Sequence, residues 1–117
     1  MKEKIKSEIM HILQKNDKCL VPELMLYINN NDLNASGDIA LFVGYNCMLW
    51  NEMSQDFSDA LLGLIKEKTV FMLSIDEQSA QLSHMIYGRC PDLPYTCDLI
   101  PKDTKHWFPA LICRYQL

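Results

Sequence analysis

Between Val21 and Ile65 the chain has no lysine and no arginine. Six carboxylates stand in that stretch: Glu23, Asp32, Asp38, Glu52, Asp56 and Asp59. Such a segment is a poor match for a phosphate backbone, because Lys and Arg supply most non-specific affinity for nucleic acid. Arginine is scarce everywhere, with only Arg89 and Arg114. The four glycines are scattered, and no Walker loop, dinucleotide fingerprint, G-x-S-x-G or H-E-x-x-H pattern occurs. The sequence therefore reads as non-enzymatic, with no cofactor. Five cysteines are present (Cys19, Cys47, Cys90, Cys97 and Cys113), an odd set without a C-x-x-C pair. A secreted disulfide framework has a different signature. Reduced thiols packed as small hydrophobes account for these residues. The longest apolar run, Ile39 to Val43, is far too short to cross a bilayer. No apolar stretch follows Met1-Lys2-Glu3-Lys4 as it would in a signal peptide. The expectation is a cytoplasmic protein without a membrane partner.

The 117 residues match a common domain size, and 49% apolar content supports a packed core. Ile5, Ile9, Ile12 and Leu13 share one helical face, which predicts a helix over residues 2–15. Cys19-Leu20-Val21 is short and extended before Pro22, which opens a second helix carrying Leu24, Met25 and Ile28. Residues 39–53 are ambiguous. Ile39 to Val43 suits a buried strand or a buried helical turn, and Asn46 is placed to cap a short helix with Cys47, Trp50 and Met53. Ser54 is a good N-cap for a third helix with Phe57, Ala60, Leu61, Leu64 and Ile65 on one face. Gly63 inside it costs about 1 kcal/mol against Ala, which suggests close packing at that point or carries no meaning. Beyond Lys68 the texture is β. Val70 to Ile75 and Leu82 to Tyr87 read as a hairpin around a polar turn at residues 76–81. Tyr95 to Ile100 and Phe108 to Tyr115 read as two further strands.

The fold class expected is α+β, with N-terminal helices followed by an antiparallel hairpin or sheet in one domain. The element order resembles a winged helix-turn-helix domain over residues 1–87. Residues 54–68 stand in the place of the recognition helix and 70–87 in that of the wing, with 88–117 as a C-terminal β extension. The segment 33–53 departs from the short turn usual between the second and third helices. The resemblance implies DNA binding, and Lys66 and Lys68 are the nucleic-acid candidates. Charge opposes it. The N-terminal end of the third helix offers Gln55, Asp56, Ser58 and Asp59, and two carboxylates there repel phosphate.

A protein partner fits better, including a second copy of the chain. The candidate contacts are the acidic residues Asp56 and Asp59 and the aromatic pair Trp107-Phe108. In an extended strand those two rings point to opposite faces, so either one faces the core while the other meets a partner or an aliphatic stem, or both are covered within the chain. A terminal strand at residues 108–115 lying at a sheet edge would serve self-association. His84, Cys90, Cys97 and His106 are zinc-ligand types, but they lack the tight spacing of a metal motif. The sequence therefore assigns no metal site.

Overall fold

A computed structural model describes residues 1–116. The chain is mixed α+β, with four helices and two three-stranded sheets among the described residues. Helix α1 (Lys2–Asn16) buries Ile5, Ile9, Ile12 and Leu13, the face its periodicity predicts. It stops at Asp17, whose φ of 57° turns the chain into β1 (Lys18–Leu20). Helix α2 (Val21–Asn30) begins at once. Pro22 lies in its first turn, and the Glu23 carboxylate accepts from the Leu20 backbone N–H at 3.1 Å.

The ambiguous segment forms a β-hairpin, β2 (Ser36–Gly44) and β3 (Cys47–Met53), turning through Tyr45 and Asn46. The strand alternative for Ile39–Val43 is correct and the short helix after Asn46 is not. Asn46 takes φ 59° at the turn instead of capping a helix. The hairpin is irregular. Ser36 and Ile39 both face Met53, and one further residue slips on β3 between the pairs Ile39–Met53 and Leu41–Trp50. Gly37 sits in the first irregularity. A Cβ there would lie 2.7 Å from the Met53 carbonyl oxygen, so only glycine fits.

Helix α3 (Gln55–Lys66) starts where Ser54 predicts, with its hydroxyl accepting from the Phe57 N–H at 3.1 Å. Phe57, Ala60, Leu61 and Leu64 are buried against α1 and the hairpin. Gly63 is a close-packing position. A Cβ there would meet Lys6 Cε at 3.0 Å, beside the Lys6–Glu67 ion pair of 2.7 Å that ties α1 to α3.

Strand β4 (Phe71–Ser74) lies within the expected β run. Its expected hairpin partner does not exist. Residues Glu77–His84 form helix α4, capped by the Asp76 carboxylate, which accepts from the Ser79 N–H at 3.1 Å. The buried face of α4 is only Ala80 and His84, one turn apart. Leu82, Met85 and Ile86 point to solvent, so the apolar pattern of the segment is not the pattern of its core contact. The expected strand at 95–100 is also absent. Pro94 precedes it, and Tyr95 makes a single parallel bridge to Trp107.

β5 (His106–Trp107) pairs parallel with β3, completing the sheet β2-β3-β5. β6 (Ala110–Cys113) pairs antiparallel with both β1 and β4, giving the order β1-β6-β4. The last strand is thus central, so the condition for self-association through it, an edge position, is not met. Both sides of its backbone are already hydrogen-bonded, leaving nothing for a second copy to pair with. Among the described residues no helix is long and apolar enough to cross a membrane.

Candidate functional site

The residues singled out in the sequence do not converge. Asp56 and Asp59 lie exposed on the first two turns of α3, where Asp59 accepts from the Gln55 side-chain amide at 2.8 Å. Lys66 and Lys68 are exposed at its other end, flanking Glu67. Trp107 and Phe108 are both buried, so the alternative in which both rings are covered within the chain is the one observed and neither is available to a partner. The cause is β5. Its pairing with β3 carries both residues into the core, where the Trp107 indole N–H donates to the Leu49 carbonyl at 3.2 Å. The Phe108 N–H donates to Met48 O at 2.8 Å.

His84 joins this aromatic cluster. Its ring centroid lies 5.2 Å from those of both Trp50 and Trp107, which are 6.1 Å apart. Nδ1 lies 2.8 Å from the Ala80 carbonyl oxygen, which can only accept, so Nδ1 carries the proton. Nε2 is buried with no hydrogen-bond partner among the described residues. Burial holds the ring's pKa below its ordinary value, and the bond to Ala80 partly opposes that. The remaining zinc-type residues are dispersed. Cys97 is exposed, Cys90 half-buried, and His106 Nδ1 lies 2.7 Å from Thr104 O. Among the described residues no three His, Cys, Asp or Glu side chains are placed to hold a metal.

The arrangement with the most convergent chemistry is a groove of about 710 Å³ between α2 and the β2–β3 hairpin. One wall is α2, with Met25 and Leu26 as its apolar surface and Asn29 at its end. The opposite wall is the hairpin, where Asp38 and Ala40 of β2 stand beside Trp50 and Glu52 of β3. Tyr87, three residues past the end of α4, contributes a third side.

Both carboxylates stand where the hairpin breaks register. Asp38 falls between Ser36 and Ile39, the two residues that face Met53. Glu52 occupies the slip on β3 with φ 58°, a left-handed conformation that costs a non-glycine residue of order 1 kcal/mol or more. Bulges of this kind re-aim side chains and recur beside binding sites. Both residues are exposed. The ion pairs among the described residues, Lys6–Glu67 and Lys102–Asp98, lie elsewhere, so neither groove carboxylate is neutralised. No Lys, Arg or His lines the groove.

Sequence reading counted Asp38 and Glu52 among the acids of the Lys/Arg-free stretch but did not single them out. The signal was present in Gly37 next to Asp38 and in the absence of any cation nearby. Tyr87 was hidden because its segment read as a strand. Leu82 and Met85 line a separate depression with Gln78, Arg89 and Cys90. Both are exposed, and Ile86, the neighbour of Tyr87, is 76% exposed. Comparison with protein-family models, with curated proteins and with solved structures finds no match.

Proposed function

We propose that this chain is a non-enzymatic docking module that acts through contacts with another polypeptide, a second copy of itself included. The observation that carries this reading is the groove between α2 and the hairpin. It combines the exposed Leu26 of its α2 wall with two unneutralised carboxylates, and Ile86, next in sequence to the lining residue Tyr87, is exposed as well. Several large apolar side chains exposed together in a small chain mark an interaction surface. The Ser83 hydroxyl lies 3.3 Å from His84 Nδ1, but that nitrogen donates to Ala80 O and is not a free base. Cys19 is buried and its thiol is pushed up to about 12, first by burial and then by Glu23, which is the opposite of an activated cysteine.

A second reading, a DNA-binding regulator of winged-helix type, draws on one observation. The strand order β1-β6-β4 gathers the strand between the first two helices and the strands after the third into one sheet, as suits that fold. The hairpin inserted before α3, and α4 and β5 within the 75–109 connection, stand apart from it. The exposed N-terminal end of α3 is acidic, and Lys66 and Lys68 offer the only cations on that helix and its cap. We keep protein docking as the main reading because carboxylates oppose approach to phosphate.

The test is site-specific photo-crosslinking in cells. A benzophenone amino acid is placed at Leu26, at Ile86, or at Gln14 on α1. Docking predicts a discrete polypeptide adduct from positions 26 and 86 and none from 14. A self-adduct at twice the chain mass identifies the second copy as partner. Absence of any polypeptide adduct at 26 and 86, or adducts to nucleic acid, contradicts the reading.

A further inference from the structure

We propose that the groove between α2 and the hairpin receives an extended polypeptide segment bearing arginine or lysine, with the cationic head at Asp38 and Glu52 and the aliphatic stem along Leu26 and Ala40. The inference rests on the docking reading and names the chemistry of its partner. Charge complementarity is its main support. The groove holds two carboxylates and no cation, and the nearest residues in sequence supply none, because Lys and Arg are absent from Val21 through Ile65. A negatively charged occupant would add like charge to like. A wholly apolar one would cover the carboxylates without compensating them, and each would lose hydration with nothing in return.

The mixture of surfaces selects the occupant further. Arg and Lys combine a long apolar stem with a charged head, and this groove offers both an apolar side chain and carboxylates. Arg adds a planar fork that meets a carboxylate through two parallel hydrogen bonds. A peptide also needs partners for its backbone. Asn51, on β3 between Trp50 and Glu52, lines the groove and offers both a donor and an acceptor. The occupant sits on carboxylates that are exposed at the rim, so attraction falls with salt instead of being locked in by burial.

The experiment titrates isotopically labelled protein with three probes at about 50 mM salt: a nine-residue peptide alternating Arg with Leu or Ala, the same peptide with Glu in place of Arg, and N-acetylarginine amide. The Arg peptide is expected to move the backbone signals of Gly37, Asp38 and Glu52 and the Trp50 indole signal. Its binding is expected to weaken about tenfold in the D38N/E52Q variant and again at about 0.5 M salt. Both substitutions keep side-chain shape at exposed positions, and an unchanged spectrum outside the groove shows that the variant is folded. Equal binding of the Arg and Glu peptides, signal changes confined to other surfaces, or no binding by any probe overturns the inference. Binding of the arginine amide as tight as that of the peptide overturns the assignment to a polypeptide segment. These failures are distinct from failure of docking itself, since crosslinks from Leu26 and Ile86 to a partner of other chemistry would persist.

Discussion

His84 is the residue whose environment has the clearest consequence. It is fully buried between two indoles, with one nitrogen bonded to Ala80 and the other without a partner among the described residues. Protonating it would put a cation where no carboxylate waits. Its folded pKa is depressed, so between that value and the ordinary value of about 6.5 the unfolded chain binds more protons than the folded one. Stability is therefore fully present above about pH 6.5 and declines as pH falls through the folded pKa. Urea melts across that range should show the decline, and His84→Phe should flatten the part of it that His84 causes. A variant with an unchanged pH profile would remove His84 from the account. The cysteines give a second residue-scale prediction. At about pH 8 Cys19 stays a buried thiol while Cys97 is open to solvent, so iodoacetamide should modify Cys97 first and leave Cys19 untouched in the folded protein. Peptide mapping by mass spectrometry reads the order, and early labelling of Cys19 would contradict the packing around β1.

Helix α3 shows how an element is set by its ends. Ser54 caps its start and also donates its hydroxyl to Asn34 O at 2.9 Å, fastening the loop before the hairpin. Ser54→Ala should cost about 1 kcal/mol or somewhat more, measured by chemical denaturation. At the other end Lys68 takes φ 60° just past the helix, where Thr69 and Val70 N–H groups both turn back to Leu64 O. This is the position that favours glycine, so Lys68→Gly should stabilise the chain by roughly 0.5–1 kcal/mol. A loss of stability would show that the lysine stem contributes packing.

α1, α2 and α3 were legible in the sequence because each buries a face with helical spacing and has a recognisable start or stop. α4 was not. Its core contact is only Ala80 and His84, while Leu82, Met85 and Ile86 are exposed, so periodicity followed the side chains with no core role. The hairpin was only half legible because bulges at 36–39 and 51–52 interrupt the alternation that marks a strand. The central place of β6 could not be read at all, since strand order depends on contacts between residues about 90 positions apart, such as Cys19 with Ile112. For the site, the charge asymmetry was legible and its location was not. Asp38 and Glu52 come together only through the hairpin, and Asp56 and Asp59 drew attention because a helix end is easier to recognise than a bulge.

At the scale of the whole molecule the charge distribution and the topology pull in different directions. The sheet β1-β6-β4 with α1 to α3 is what the proposed alternative of a winged-helix regulator draws on, while Val21 to Ile65 carries no cation to hold a phosphate. The proposed docking to a polypeptide draws on the groove, where uncompensated carboxylates and an apolar wall share one surface. The direct measurement is a paired titration of the same labelled protein at about 50 mM salt, once with the Arg peptide and once with a mixed-sequence DNA duplex. The account predicts that the peptide moves Gly37, Asp38, Trp50 and Glu52, and that the duplex moves nothing. Signals shifting along α3 and at Lys66 and Lys68 on adding DNA, with the groove silent to peptide, would contradict it.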